Sequence, residues 1–489
     1  MSETNNTKQA AWVALGSMFS FAFGIVSSMI LSRYFDKVEY GTYKQIIYVY
    51  NSLLAVFTLG LPNAYSYFLP KSPLNEAKSL ISKITNLFYI LGGGLSILLF
   101  FSSGIIADFL NNKALESALK IFSPVPFLMM PTMGLEGILA TYRRTKFITL
   151  YTVVTRCVML LSVALPVVLL DLSCNEAIVG FVIGSAISFV IALTLKSYPV
   201  RKEKKNITKY TYSDIFRFSL PLFIASIWGV LINSTDQFFI SRYFGTEAFA
   251  EFSNGAMELP FVGMVIGACS TVLTPLFSKQ IYVGSEFKTN IYPVWRSSFI
   301  KSAMLIYPVV VFCILDAELI MKVMYGDLYS SSGNYFRIKL FTYFTKIISF
   351  YSILVALGAT KFYSKVFMWC FILLLPTEFI FVKLFNSPLM VTAVHVLYTT
   401  CYCFVFLFFI AKKFAIKTIE LIPVRGLAKI LLASALSLVI VYLVKNLFYN
   451  SLNTLFSLGV DFVLFFLSYL LFSYLLRIKY IKLIKPLLE

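Results

Sequence analysis

The chain contains about fourteen apolar segments, each close to the twenty or so residues that cross a lipid bilayer as a helix. Hydrophobic residues account for 59% of the 489 and charged residues for 13%, whereas a soluble domain carries about 25% charged residues. Because the bilayer interior offers the backbone no hydrogen-bond partner, these segments must pair their own backbone groups, as helices do. We therefore predict an all-α polytopic membrane protein. The segments lie near residues 10–32, 46–68, 83–107, 117–140, 147–170, 177–196, 217–240, 255–278, 297–315, 338–358, 363–384, 389–410, 428–448 and 454–476.

The net charge of +19 is not spread evenly along the chain. Lysine and arginine collect in alternate connections between the apolar segments, including the RKEKK run at 201–205, and in both tails. Cytoplasmic loops of membrane proteins carry such an excess, so an even number of spans predicts that both termini are cytoplasmic. A large positive net charge can also indicate nucleic acid binding, but the sequence has no soluble domain that could present a basic patch to a nucleic acid. We expect contacts with anionic lipid headgroups and none with nucleic acid.

The tetrapeptide SRYF occurs twice, at Ser32–Phe35 and at Ser241–Phe244. The copies lie at the ends of the first and seventh apolar segments, and an aromatic residue follows each at the same spacing, Tyr40 in one case and Phe249 in the other. Six spans separate the copies, and an even number predicts two parallel repeats related by an axis along the membrane normal. The predicted parts are an N-terminal six-helix bundle at 1–197, a basic cytoplasmic linker at 198–215, a C-terminal six-helix bundle at 216–411, and two additional helices with a basic tail at 412–489.

The residues around both copies resemble polysaccharide flippases of the Wzx type. In that family the first helix ends in a small residue, an arginine and an aromatic residue, and an acidic-aromatic-glycine-aromatic turn follows, here within Glu39–Tyr43. A Leu-Gly-Leu sequence lies late in the second helix, here Leu59–Leu61, and a Leu-Pro-Leu sequence opens the seventh, here Leu220–Leu222. Asp236 matches the aspartate that precedes the exit of that helix. The second copy departs from the pattern, because Glu247–Ala250 lacks the glycine.

The resemblance implies the fold of the multidrug/oligosaccharidyl-lipid/polysaccharide exporter superfamily, with two six-helix bundles in a V around a central cavity and two extra C-terminal helices. It implies a transporter and not an enzyme. Such a flippase moves oligosaccharide units linked to undecaprenyl pyrophosphate across the bacterial inner membrane by alternating access, for O-antigen, lipopolysaccharide or capsule. The implied partners are this lipid-linked oligosaccharide, membrane lipids and other polysaccharide assembly proteins. No cofactor is implied, and H+ and Na+ are the candidate coupling ions.

Two cations within apolar segments are candidates for binding the pyrophosphate. Arg156 lies in the fifth segment, and a guanidinium binds phosphate oxygens through two parallel hydrogen bonds. Lys346 lies in the tenth, where Thr342, Lys346 and Ser349 recur at helical spacing and would form a polar stripe on one helix face. The alternative for either cation is an ion pair that holds two helices together.

Three carboxylates at membrane depth are further cavity candidates, because buried ionisable groups in spans usually face a bundle interior. Asp236 lies in a polar patch with Asn233, although it could instead cap a helix end. Glu258 precedes a proline, and Glu378 lies close to another, so both would lie near bends in their helices. His395, the one histidine of the chain, could titrate with a proton gradient, but a satisfied buried histidine is the stronger interpretation.

Arg143 and Arg144 lie between the fourth and fifth segments, on the predicted cytoplasmic side. They are candidates for capturing the substrate headgroup from the inner leaflet. The positive-inside rule also explains both residues without any role in transport.

Other classes of membrane protein fit the sequence less well. A cation-coupled multidrug exporter of the same superfamily usually has twelve spans and an acid in the first, which this first segment lacks. The lipid II flippase shares the fourteen-span plan but has a more arginine-rich cavity. A polysaccharide polymerase or ligase resembles a chain with one long catalytic loop, and no such loop, P-loop or HExxH motif is present.

Overall fold

The computed structural model describes residues 3–201, 203, 206–284, 286–448, 453–478 and 480. All regular elements in these ranges are helices. Many outward side chains are large and apolar, such as Phe101 with 77% and Ile105 with 72% of its surface exposed. A soluble protein does not expose such continuous apolar surface, so these side chains require lipid around them. The prediction of an all-α polytopic membrane protein is confirmed.

The chain divides into two compact units, Met1–Ala250 and Glu251–Glu489. In the first unit, α1 packs along α8, where Thr149 Oγ1 donates to the carbonyl oxygen of Trp12 at 2.6 Å. The helices of this unit are α1 (Glu3–Tyr34), α2 (Lys37–Phe57), α3 (Pro62–Phe68), α4 (Leu74–Phe109), α5 (Ala114–Phe122), α6 (Val125–Met129), α7 (Leu135–Thr141), α8 (Thr145–Leu170), α9 (Cys174–Ser197) and α10 (Tyr212–Gly255), whose last residues pass the boundary.

The second unit contains the remaining nine helices of the described ranges. The last two pack against each other and against α12. These helices are α11 (Pro260–Tyr282), α12 (Tyr292–Leu315), α13 (Ala317–Tyr325), α14 (Ser332–Leu340), α15 (Phe350–Ala356), α16 (Thr360–Phe385), α17 (Pro388–Lys413), α18 (Val424–Phe448) and α19 (Thr454–Leu475). The predicted division of the chain into two six-helix bundles at the linker 198–215 was based on the sequence repeat, and it stays a prediction.

Thirteen helices or helix runs of the described residues are long and apolar enough to cross a membrane. They coincide with thirteen of the fourteen predicted segments. The exception is the predicted segment 338–358, which contains α14, a 3-10 turn at Phe341–Phe344, a non-helical stretch and α15. Both α14 and α15 pack against α17, so this segment is a discontinuous helix and not a regular span.

The SRYF segments end their helices in two related ways. Asp36 caps α2 by accepting a hydrogen bond from the Glu39 amide at 2.7 Å, as aspartate does at helix N-termini. Tyr40–Tyr43 therefore lies in the first turns of α2, and the turn predicted there is wrong. At the matching position of the second copy, Gly245 interrupts α10 with φ 83°, a conformation that glycine adopts without steric penalty.

The two SRYF regions meet in the first unit through a buried polar network. Gln45 donates from its side-chain amide to Ser241 Oγ at 2.7 Å, and Asn112 donates to Gln45 Oε1 at 2.6 Å and to Thr42 Oγ1 at 2.9 Å. All four side chains are buried. Buried polar groups that are satisfied by one another fix a unique packing arrangement, so this network sets the register of α2 against α10.

Candidate functional site

Arg156 lies midway along α8 with an exposed side chain. Its guanidinium and the carboxylate of Glu136, in the first turn of α7, both act electrostatically on the hydroxyl of Tyr151. Among the residues that the structure describes, no carboxylate forms an ion pair with Arg156. The cation thus lies in a polar part of the helix without a fixed acidic partner.

Asp236 is fully buried in α10, and its Oδ1 accepts a hydrogen bond from the backbone amide of Gln237 at 2.9 Å. Asn233, one turn earlier, is exposed. Between them, the carbonyl oxygen of Ser234 accepts a hydrogen bond from the Tyr48 hydroxyl of α2 at 3.3 Å. This polar stretch of α10 therefore lies against α2 within the first unit.

Lys346 lies outside any helix, and the stripe predicted on a continuous helix face is wrong. Because α15 begins only at Phe350, Thr342, Lys346 and Ser349 do not share one helix. The Lys346 side chain is exposed, and it acts electrostatically on the Cys403 thiol of α17. The lysine is thus presented by a break in the chain and not by a helix wall.

Around this break, side-chain hydroxyls add hydrogen bonds to backbone carbonyl oxygens. Thr342 Oγ1 donates to the carbonyl oxygen of Lys339 at 2.7 Å, and Thr345 Oγ1 donates to that of Thr342 at 3.1 Å. The carbonyl oxygen of Phe344 accepts instead from the Tyr307 hydroxyl of α12 at 2.8 Å. Backbone groups released from a helix at membrane depth need such replacement partners.

Ser349 belongs to a cluster of four hydroxyl groups between α11 and α15. It donates to Ser270 at 3.0 Å, and Ser352 lies 3.0 Å from both of these hydroxyls. Thr274 completes the cluster by donating to Ser352 at 3.0 Å. The cluster fixes the C-terminal side of the chain break against α11.

Glu258 does not lie within a helix, as the sequence suggested. It is an exposed residue in the connection between α10 and α11, and Pro260 is the first residue of α11. Proline is favoured at that position because its missing amide hydrogen has no partner there in any case. Pro260 therefore starts a helix and does not bend one. The amide of Leu259 donates to the Tyr343 hydroxyl at 3.1 Å.

Glu378 is fully buried in α16 and faces His395 of α17, with 3.8 Å between Oε1 and Nδ1. His395 is 5% exposed, and the buried Thr392 and Thr399 flank it on the same helix. The pair lies between two neighbouring helices, and its 3.8 Å separation is longer than a hydrogen bond. The interpretation of His395 as a satisfied buried residue therefore stays a prediction. Pro376 lies inside α16, as expected, two residues before Glu378.

Arg143 and Arg144 form the short turn between α7 and α8, and both are exposed. Arg143 has φ 57°, and the amide of Arg144 donates to the carbonyl oxygen of Leu139 at 2.7 Å. The backbone of the turn is thus fixed while the two side chains extend outward. Their predicted role in capturing substrate stays a prediction.

The sequence analysis missed Lys196, which is 2% exposed near the end of α9. Its ammonium donates to the carbonyl oxygen of Met133 at 2.6 Å and to the Tyr65 hydroxyl at 3.2 Å, and lies 5.7 Å from the centre of the Phe88 ring. No described carboxylate pairs with it. In the sequence, Lys196 is only the last residue of the apolar segment 177–196, where a charge at the membrane edge is common.

The sequence analysis also missed an ionic triad in the second unit. Lys445 of α18 lies 2.8 Å from Asp461 of α19 and 3.1 Å from Asp316, which directly precedes α13. Both carboxylates are nearly fully buried. Since one ammonium serves two carboxylates, the triad ties the last two helices to the bundle and carries a net negative charge. Within the described ranges, no group of three or more His, Cys, Asp or Glu side chains could hold a metal ion.

Comparisons with known proteins agree with the fold. The structure is similar to "Lipid II flippase MurJ, inward closed conformation", with a TM-score of 0.71, 17% identity, and coverage of 96% of this chain and 99% of that one. It is also similar to an inward-facing multidrug resistance MATE family transporter of the MOP superfamily, with a TM-score of 0.60, 14% identity, and coverage of 83% and 94%. A third similar structure is a mutant of the Vibrio cholerae MATE transporter VcmN, with a TM-score of 0.57, 12% identity, and coverage of 84% and 99%.

These structures are all of transporters, and they confirm the expected superfamily fold. A comparison with curated protein sequences gives no match. A family model described as polysaccharide biosynthesis protein matches residues 7–280, which is more than half of the chain. The chain therefore belongs to the polysaccharide biosynthesis protein family and has the fold of the MOP superfamily of transporters.

Proposed function

We propose that the chain is a Wzx-type flippase that moves oligosaccharides linked to undecaprenyl pyrophosphate from the cytoplasmic to the outer leaflet of the bacterial inner membrane. The observation that carries the proposal is the match of residues 7–280 to a polysaccharide biosynthesis family in a chain with a transporter fold. The described part of the chain has thirteen helices or helix runs long and apolar enough to cross a membrane, so a lipid-linked substrate would share the membrane with the protein.

The physical task is to carry an anionic, hydrated headgroup through an apolar layer. The polyprenyl tail can stay in lipid throughout, so the barrier comes from the pyrophosphate and the sugar. A charge at the bilayer centre costs at least several kcal/mol, and fixed cations along the path lower that barrier by replacing hydration. Arg156 and Lys346 are exposed cations at predicted membrane depth without an acidic partner in the described residues, as this role requires.

The remaining candidates take supporting roles in the proposal. Arg143 and Arg144 attract the pyrophosphate at the predicted cytoplasmic face. Asp236 and Glu378, which are buried carboxylates, are the candidates for binding a coupling H+ or Na+. Glu258 contributes less, because its exposed position outside a helix favours contact with solvent or headgroups.

A lipid II flippase is the second candidate function. The observation that favours it is the similarity to MurJ over 96% of this chain, against 83% for a MATE transporter. Drug export is the third, because the chain is also similar to MATE transporters. The first span of the chain, Leu15–Tyr34, contains no carboxylate, and exposed cations such as Arg156 and Lys346 would repel cationic drugs.

The test is a translocation assay with purified protein in liposomes. A fluorescent undecaprenyl-pyrophosphate oligosaccharide is supplied on one side, and its exposure to an impermeant sugar-modifying reagent is followed over time. Lipid II and a cationic dye are assayed in parallel. The variants are Arg156→Ala and Lys346→Ala, and Lys417→Ala serves as a matched control, since it removes an exposed lysine outside the spans.

We expect the wild type and the Lys417→Ala variant to translocate the oligosaccharide lipid, and each of the other two variants to be slowed at least tenfold. Normal rates in both of these variants would leave the function intact but refute the assignment of the cationic site. Transport of lipid II alone, or of the dye alone, would refute the proposed substrate.

A further inference from the structure

A cavity of about 550 Å³ lies in the second unit, apart from the residues assigned above to translocation. It lies between the π-helical turn Phe287–Ile291 with the first turns of α12 on one side and residues 416–425 on the other. Its volume falls within the range of about 300–1,000 Å³ typical of small-molecule sites. Both walls belong to connections that the charge pattern predicts to be cytoplasmic.

The lining of this cavity is strongly basic. Lys288, Arg296 and Arg425 line it, against one carboxylate, Glu420. Among the described residues, none of the three cations has a hydrogen bond or an ion pair. Because like charges gathered around one space repel one another, an anion in the cavity would relieve this repulsion.

The backbone amides at the start of α12 and α18 already have partners. The π-helical turn continues into α12, so the amide of Tyr292 donates to the carbonyl oxygen of Phe287, and the amides of Val424 and Gly426 donate to the carbonyl oxygens of Ile422 and Pro423. The positive potential of the cavity therefore comes from its basic side chains.

The walls are held in place by contacts behind the lining. The indole nitrogen of the buried Trp295 donates to the carbonyl oxygen of Leu421 at 3.0 Å. Phe287 stacks on Phe414 with ring centroids 4.0 Å apart. These contacts join α12 and the turn before it to the segment that leads into α18, so the cavity is preformed.

We infer that this cavity binds the phosphate group of an anionic ligand at the predicted cytoplasmic face. The basic residues contact the phosphate, and the apolar Ile416, Ile419 and Val424 contact the adjoining carbon chain. An anionic phospholipid headgroup and a soluble phosphate ester share this chemistry. The inference is independent of the substrate that the protein translocates.

The test uses full-length protein in detergent and native mass spectrometry. The protein is titrated with phosphatidylglycerol, with phosphatidylcholine and with glycerol 3-phosphate. The wild type is compared with the double variant Arg296→Gln/Arg425→Gln and with the control Lys412→Gln/Lys413→Gln. The control removes the same charge from exposed residues at the end of α17 that do not line the cavity.

We expect the wild type and the control to bind phosphatidylglycerol at least tenfold more tightly than the arginine double variant does, and more tightly than they bind phosphatidylcholine. If the wild type and the control instead bind glycerol 3-phosphate, and not phosphatidylglycerol, at least tenfold more tightly than the arginine double variant does, the source of the phosphate is a soluble ester. If the arginine double variant binds phosphatidylglycerol and glycerol 3-phosphate as tightly as the control does, the inference is refuted.

A second measurement needs no variant and so does not depend on the folding of one. Phenylglyoxal modifies accessible arginines, and the modified peptides are quantified by mass spectrometry. The anionic probe that binds should protect Arg296 and Arg425 severalfold and leave the exposed Arg217 of the first unit unprotected. Equal protection of all three arginines, or of none, would overturn the assignment.

Discussion

Gly41 is the residue of the first SRYF region that the structure makes most sensitive to substitution. A Cβ atom added there would lie 2.7 Å from Thr246 Cγ2 and nearer still to the Thr246 carbonyl oxygen. Carbon atoms in proteins pack at about 3.5–4.0 Å. The Gly41→Ala variant must therefore move the start of α2 away from the second SRYF region by roughly 1 Å.

The expected cost follows from packing. Forcing an extra methyl group into a closely packed contact destabilises by about 1–3 kcal/mol. The displacement also strains the neighbouring hydrogen bonds of Gln45 with Ser241 and Asn112, which are 2.7 and 2.6 Å long. For a unit of about this size, 1 kcal/mol lowers the thermal midpoint by about 2–4 °C, so the variant should unfold roughly 2–12 °C lower.

The assay is thermal unfolding of purified protein in one detergent, with Gly229→Ala of α10 as the control. A Cβ at Gly229 would meet no atom within 4 Å, so this helical substitution should leave the midpoint unchanged or raise it slightly. The same midpoint in the Gly41→Ala and Gly229→Ala variants would refute the close approach of α2 to the second SRYF region.

Four further predictions concern buried charges. Lys196→Met should leave the thermal midpoint unchanged or raise it, because methionine fills similar space without a buried charge, whereas Lys196→Ala should destabilise by about 2–5 kcal/mol through the cavity it leaves. Lys445→Met should destabilise by about 3 kcal/mol, because Asp316 and Asp461 lose their cation. Burial and the nearby Asp461 raise the pKa of Asp316 to about 6, above the value of about 3.9 for an unfolded chain. The folded state therefore binds this proton more tightly than the unfolded chain does. The contribution of Asp316 to the free energy of unfolding falls as the pH rises from about 4 to about 6. The Asp316→Asn variant should show a smaller change in stability over this pH range. Glu378→Gln keeps the shape of a fully buried side chain, so transport should fall at least tenfold with little change in the thermal midpoint.

Each of these predictions can fail in a defined way. A lower midpoint for Lys196→Met than for the wild type would show that the ammonium is essential to the packing of α9. An unchanged midpoint for Lys445→Met would show that the triad does not stabilise the second unit. A pH profile of Asp316→Asn that matches the wild type would assign the slope to another group. Normal transport by Glu378→Gln would exclude this carboxylate from ion coupling.

The apolar segments could be predicted from the sequence because the length and composition of a span are local properties. Thirteen of the fourteen agree with the structure. The segment 338–358 is apolar on average but contains a non-helical stretch between α14 and α15, and a hydropathy average does not register such a break.

The pairing of charges could not be predicted, since it depends on which helices become neighbours. Lys445 and Asp316 are far apart in sequence but lie 3.1 Å apart. Lys196 appeared to be a charge at a membrane edge, and only the packing of α9 against Tyr65 and Met133 shows that it is buried. Glu258 appeared to lie inside a span because Pro260 interrupts an apolar run, although that proline starts α11.

The break at residues 345–349 also bears on how the chain enters the membrane during synthesis. At 1.5 Å per residue, the nine residues of α14 and the seven of α15 are each less than half the length needed to cross the hydrocarbon layer of about 30 Å. Neither half can therefore be stable in lipid alone as it leaves the ribosome and the insertion machinery. Two residues that hydrogen-bond to this segment come earlier in the chain: Ser270, which contacts Ser349, and Tyr307, which contacts the carbonyl oxygen of Phe344. Helix α17, which packs against both α14 and α15, comes later. Stable insertion of this segment must wait until roughly sixty further residues have been synthesised, so its biogenesis proceeds by assembly with its neighbours and not one span at a time.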